Sequence, residues 1–184
     1  MQGLQPILER VLASRKLILI YGPAATGKTH LAYNLYKSMK QKGHRSLLIA
    51  TEPGTITFLV NIGEEDYQRA LTIDELATIA TRGALQGYML FIDSVNWHYR
   101  ENPTMDNARI LAYTVSLASR VGGLVTAQVS GGDARPSGAR FITPWAHMVI
   151  ETSKVRENLF QASVKRPITR LALFKVRGAR VQWL

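Results

Sequence analysis

Cysteine is absent from this chain. That excludes a disulfide framework, a cysteine-based metal site and a thiol nucleophile. No run of about 18 apolar residues occurs, so no membrane-spanning helix is expected. The stretch from Met1 to Arg15 is amphipathic and lacks the long apolar segment of a signal peptide. These absences suit a cytoplasmic protein. Acidic residues are scarce: 13 Asp and Glu stand against 23 Lys and Arg, a formal net charge of +10. A balance that basic fits a polyanionic partner, nucleic acid first. The competing explanations are solubility, or membership of a larger and more neutral assembly. Neither internal repeats nor low-complexity tracts break the chain.

What is present is enough apolar material for a core, 46% of 184 residues, and one domain over 1–184 is expected. Leu4, Ile7, Leu8, Val11 and Leu12 recur at helical spacing. The nearly continuous apolar run Lys16 to Tyr21 has the form of a strand buried on both faces. Leu31, Leu35 and Met39 make one stripe of a helix from Thr29 to Gln41, with Gly43 at its stop. Ser46 to Ala50 reads as a second strand. The region from Thr55 to Leu85 is expected to be mostly helical, with a start at Thr72 and Glu75 three residues on. Tyr88 to Ile92 is a third strand ending on Asp93, Thr104 to Val121 a helix, and Leu124 to Val129 a fourth strand. This alternation predicts an α/β fold with a mostly parallel central sheet flanked by helices. Met148 to Thr152, Asn158 to Lys165 and Thr169 to Val176 predict antiparallel strands at the C-terminal edge. Ser130 to Pro144 is the most loop-like segment.

The sharpest motif is Gly22-Pro23-Ala24-Ala25-Thr26-Gly27-Lys28-Thr29, with His30 directly after it. It matches G-x-x-x-x-G-K-[ST] between a buried strand and a helix. Glycine lets the backbone approach phosphate closely, and the helix start adds aligned N–H groups. Lys28 is the expected β/γ-phosphate contact and Thr29 a Mg²⁺ ligand, so ATP and Mg²⁺ are the expected ligands. Asp93 ends its strand where a second Mg²⁺ contact is needed; its other reading is a helix or turn cap. Glu52 and Gln128 close two further strands on the same edge, where ligands of open α/β sheets collect. Either could orient an attacking water, and either could be an ordinary loop residue.

In this order and spacing, the pieces resemble the RecA/RadA recombinase ATPase core, above all the short archaeal RadA paralogues of RadB or KaiC-like type. Thr51-Glu52-Pro53-Gly54 resembles the family's Thr-Glu-Gly segment, whose glutamate activates water. Ile92-Asp93-Ser94-Val95 resembles its Walker B, and Tyr99-Arg100 its first DNA-binding loop. Thr126-Ala127-Gln128-Val129 resembles its Thr-Asn-Gln-Val strand, whose glutamine senses the γ-phosphate. Ser130 to Thr143 then falls at the second DNA-binding loop, ahead of Trp145-Ala146-His147. The resemblance implies a RecA-like P-loop core with Lys28, Glu52 and Gln128 as the catalytic set. Near the C-terminus, Lys175-Val176-Arg177-Gly178 resembles a Lys-x-Arg element that reaches a neighbouring subunit's ATP, which implies self-association; solvated strand residues are the alternative.

Arg100, Arg135 and Arg140 are the candidate DNA contacts. The aromatic residues Trp97, His98 and Tyr99 suit stacking on a single strand. Basic clusters at Lys37, Lys40, Lys42 and Arg45, and at Lys154, Arg156, Lys165 and Arg166, either add to that surface or are simply solvated, and Trp145 and Trp183 are expected in a core or an interface. Two functions are expected to compete. One is a slow ATPase that binds single-stranded DNA and assists homologous recombination and repair. The other is a nucleotide-switched regulatory module acting on a RadA-type main recombinase. The short segment before Gly22 motivates the second; with the early end after Lys175, where relatives continue for another strand or more, it speaks against filament formation and strand exchange.

Overall fold

The computed structural model describes residues 4–129 and 135–184. In chain order the elements are α1 (Gln5–Ala13), β1 (Leu17–Gly22), α2 (Lys28–Gln41), β2 (Ser46–Ala50), α3 (Pro53–Asn61), β3 (Gln68–Arg69), α4 (Ile73–Leu85) and β4 (Met89–Asp93). They continue with α5 (Trp97–Glu101), α6 (Met105–Val121), β5 (Gly123–Gln128), α7 (Ala139–Ile142), a 3-10 turn at Thr143–Trp145, β6 (Met148–Arg156), β7 (Leu159–Arg166), β8 (Arg170–Arg177) and β9 (Arg180–Trp183). One sheet carries all the strands in the order β3-β2-β4-β5-β1-β6-β7-β8-β9. Pairing is parallel from β3 to β6 and antiparallel from β6 to β9. The fold is therefore α/β, with a mostly parallel central sheet flanked by helices and antiparallel strands at its C-terminal edge.

Strand parity builds the two layers. Ile18 and Ile20 of β1, Met89 and Phe91 of β4, and Leu124 of β5 face α1 and α2. Leu17, Leu19, Leu90, Ile92 and Val125 face α4 and α6. Each fully buried Leu or Ile among them stabilises the fold by about 1.5–3 kcal/mol. The helices match this with apolar stripes: Leu8 and Leu12 of α1 with Leu31, Leu35 and Met39 of α2 on one face, Leu76 of α4 with Leu111 and Val115 of α6 on the other. The α4 start forms as the sequence predicts, the Thr72 hydroxyl accepting from the Glu75 N–H at 3.1 Å. Among the described residues no helix is long and apolar enough to cross a membrane.

Several expectations change or gain detail. The strand at Met148 is not antiparallel to its inner neighbour: β6 runs parallel to β1 and turns antiparallel only towards β7. The region between Thr55 and Leu85 is mostly helical as expected, through α3 and α4, and also holds the short strand β3, whose two residues are too few to leave a period. The chain does add a strand after Lys175: β9 pairs with β8, and the Trp183 ring packs at a tilt against Phe174, centroids 5.3 Å apart. The segment expected as a loop up to Pro144 contains α7, because Ile142 is drawn fully into the α4/α6 layer; Ser130 to Ala134 of that expectation lie outside the described residues. Trp145, expected in a core or interface, is 41% exposed.

Candidate functional site

The loop between β1 and α2 is held from below by the C-terminal strands. A Cβ on Gly22 would lie 2.3 Å from the Thr152 carbonyl oxygen of β6. At Gly27, with φ +83°, a Cβ would meet the Phe174 ring of β8 at 2.8 Å. Glycine is needed at both, for close backbone approach and for the left-handed turn. Phe174 stacks in turn on Phe160 at 5.3 Å. The Thr26 hydroxyl donates to the Pro23 carbonyl at 2.8 Å and lies 2.8 Å from the Thr152 hydroxyl. The first bond across the α2 start runs from the Leu31 N–H to the Gly27 carbonyl, at 3.0 Å. This leaves the N–H groups of Lys28, Thr29 and His30 at a helix start suited to an anion.

Lys28 is nearly buried, and its Nζ donates to the Pro23 carbonyl at 2.6 Å. Burial lowers its pKa, while the negative charges of Asp93 and Glu52 oppose that and the Arg100 charge adds to it. His30 packs on the Phe58 ring at 4.7 Å. Its pKa is lowered by burial, against the Asp93 charge and a hydrogen bond to the Gly178 backbone.

Asp93 and Gln128 lie on the α2 side by parity, in step with Phe91 and Leu124. Both oxygens of buried Asp93 are held. Thr126 donates to Oδ1 through a very short contact, and Thr55 donates to Oδ2 at 2.8 Å. The Asp93–Ser94 peptide is cis. Asn96, fully buried, ties the end of β5 in place. Its Oδ1 accepts from the Gln128 N–H at 3.0 Å, and its Nδ2 donates to the Gln128 carbonyl at 3.0 Å and the Ser137 carbonyl at 3.1 Å.

Glu52 precedes α3 and caps nothing with its side chain. Its backbone is fixed to Asp93 through Thr51, whose N–H donates to the Asp93 carbonyl at 2.9 Å and whose hydroxyl donates to the Ser94 carbonyl at 2.6 Å. Glu52 Oε2 is buried without a hydrogen-bond partner. Burial pushes the carboxyl above its ordinary value, and the like charge of Asp93 pushes it further; Lys28 and Arg100 pull the other way. A solvated loop acid would have neither feature.

A cleft of about 540 Å³ gathers these groups. Ala24 to His30 form one side, Glu52, Gly54 and Phe58 another, and Gln128, Asn158, Phe160, Val176 and Gly178 complete it. The structure thus brings together Lys28, Thr29, Glu52 and Gln128 around one space, with Asp93 near enough to act electrostatically on Lys28 and Glu52. The described residues contain no group of three or more His, Asp or Glu able to cage a metal. Mg²⁺ is commonly held by one or two protein oxygens plus nucleotide phosphates and water; Thr29 and Asp93 would be those oxygens.

The remaining candidates are distributed elsewhere. Arg100 on α5 has its guanidinium 5.6 Å from the Trp97 ring, and its charge is felt by Glu52 and Lys28. Arg135 and Arg140 are on the other face of the sheet, beside Tyr21. Lys175 and Arg177 alternate with Phe174 and Val176, which pack into the α2-side core. They therefore face away from this chain's own cleft. Thr55, Thr126 and Asn96 escaped notice in the sequence because a threonine or asparagine beside a strand has no distinctive pattern. The one available signal was parity: Thr126 sits two residues before Gln128, on the same strand face.

No family model matches this chain, and no curated protein sequence matches it.

Proposed function

We propose that the chain is a RecA/RadA-like protein that binds ATP, hydrolyses it slowly, binds single-stranded DNA and assists homologous recombination and repair. The observation that carries the nucleotide half is the half-buried Glu52 carboxylate, whose buried Oε2 has no partner, on the same cleft as Lys28. The N–H groups at the α2 start and Lys28 would bind the phosphates, Lys28 leaving the Pro23 carbonyl to do so. Mg²⁺ held by Thr29 and Asp93 would neutralise charge between the phosphates. Glu52, with its raised pKa, would orient the attacking water and accept a proton from it. Gln128, fixed by Asn96, would contact the terminal phosphate. The DNA half rests on the net charge and on the motif resemblance. ATP turnover with and without single-stranded DNA tests the whole: slow basal hydrolysis, raised by DNA, is expected. No turnover under either condition would sink the ATPase assignment.

A second reading is favoured by one observation. Lys28 Nζ is already engaged by the Pro23 carbonyl, so nucleotide binding has to exchange an internal contact. A nucleotide-switched module acting on a main recombinase has that property. It would bind ATP with no DNA-stimulated turnover, and its capture of a RadA-type recombinase would depend on nucleotide.

A further inference from the structure

A second cleft, of about 490 Å³, lies on the opposite face of the sheet from the nucleotide cleft. Parity again explains the division. Tyr21 follows Leu17 and Leu19 on the α6 side of β1, and Glu151 follows Val149 on the same side of β6. On β7, Lys165 alternates with Val164, whose side chain is in the α2-side core. Tyr21 and Lys165 therefore come together from the sheet. Arg135 and Arg140 close the cleft from the α7 segment, with Arg166 at its base.

These cations differ in their engagement. Arg166 donates to the Thr143 carbonyl at 2.8 Å and, very closely, to the Ala146 carbonyl, so it holds the α7 segment onto β7. Arg140 lies over the Phe141 ring at 4.6 Å and is exposed. Lys165 pairs with Glu151 at 2.7 Å, with both side chains more than a third exposed. An ion pair that exposed contributes little to stability, about 0–1 kcal/mol, so Lys165 can change partners readily. Tyr21 is half-buried, and burial beside Glu151 pushes its phenol above the ordinary value. At neutral pH it is a neutral ring among cations.

We propose that this cleft seats the backbone of single-stranded DNA, with Lys165 and Arg140 on phosphates and the Tyr21 ring as a stacking face. The inference rests on the DNA half of the proposed function and deepens it. It adds fixed contacts on β1 and β7 to Arg140, which belongs to the segment that the motif resemblance pointed to. Cations flanking an aromatic ring fit a strand of phosphates and bases better than an acidic peptide, which has no use for a stacking face.

The test is fluorescence anisotropy of the full chain with a labelled oligo(dT) of about 16 nucleotides, across a salt series. Each phosphate contact contributes about 0.7 to the slope of log K against log salt. Lys165→Gln should lower that slope by about 0.7 and weaken binding severalfold. Tyr21→Leu should weaken binding on the order of tenfold with the slope unchanged, since stacking releases no counterion. Lys154→Gln is the control. Lys154 is exposed and shares the parity of Thr152, on the other face of the sheet; removing it should leave the slope unchanged. Equal losses for Lys154→Gln and Lys165→Gln would overturn the cleft in favour of a diffuse charge field. Wild-type binding that neither Lys165→Gln nor Tyr21→Leu alters would overturn the cleft while leaving DNA binding intact. No wild-type binding at low salt would overturn both. Polyglutamate that binds as tightly as oligo(dT), with the same dependence on Lys165, would reassign the cleft to an acidic peptide. Thermal melts of each variant separate a lost contact from a lost fold.

Discussion

Replacing Glu52 by Gln should stabilise the nucleotide-free protein while stopping turnover. The carboxylate has one buried oxygen without a partner and carries the like charge of Asp93 nearby. Gln keeps a polar atom at that position and removes only the charge, whose burial costs on the order of 1–2 kcal/mol more than that of a neutral polar group. Against this, a negative charge at the start of α3 is favoured by about 0.3–1 kcal/mol, which the substitution forfeits. The net expectation is a gain on the order of 1 kcal/mol. For a chain of this length each kcal/mol moves Tm by about 2–4 °C, so the variant should melt higher by about that much at pH 7.5. The gain should depend on pH. The folded-state pKa of Glu52 is raised, so the folded protein binds more protons than the unfolded one between the ordinary carboxylate value and the raised one. Wild-type stability from this group is thus present below that window and lost as pH rises through it. The gap between variant and wild type should be full above the window and close below it. Melts by circular dichroism at several pH values without nucleotide read this directly. A variant no more stable than wild type at pH 7.5, or a gap independent of pH, refutes the account of Glu52 as a strained, poised base. ATP turnover by the variant at the wild-type rate refutes its catalytic role.

Lys28→Ala should weaken ATP binding by about 10- to 100-fold, the worth of one charge-assisted hydrogen bond, as read by nucleotide titration. Thr55→Val removes the donor to Asp93 Oδ2. It should lower Mg²⁺-dependent turnover by about 10- to 100-fold while leaving Mg²⁺-free nucleotide binding in place; equal effects with and without Mg²⁺ would argue against Asp93 as the metal contact. Gly27→Ala sets a Cβ 2.8 Å from Phe174 at a positive φ. It should lose about 1–2 kcal/mol from backbone strain alone, seen as a fall in Tm, together with nucleotide binding.

Much of this architecture was legible in the sequence because buried parallel strands leave continuous apolar runs. Ser46 to Ala50 forms a strand with those bounds, and the run up to Ile92 does end on Asp93. The turn from Gly22 to Thr29 was legible because it sits between an apolar run and a helical stripe, and because Gly27 takes a left-handed φ of +83°. β9 was missed: four residues alternating half-buried and exposed are indistinguishable from a polar tail until Trp183 finds Phe174. The direction of β6 was misread because periodicity reports burial and carries no information about the partner's orientation.

The sequence by itself determined that one turn has the form of a phosphate cradle, and which carboxylates and amides end the strands beside it. Those are properties of short segments, written in residue type and spacing. Only the tertiary structure decided that Glu52 is left unpaired and that Thr55 and Thr126 hold Asp93. It also decided that Phe174, some 150 residues along, backs Gly27. Such contacts depend on which strands become neighbours. Adding β6, β7 and β8 beside β1 turns a local loop into a walled cleft, and the two-residue period of those strands puts Lys165 on the sheet face opposite to it.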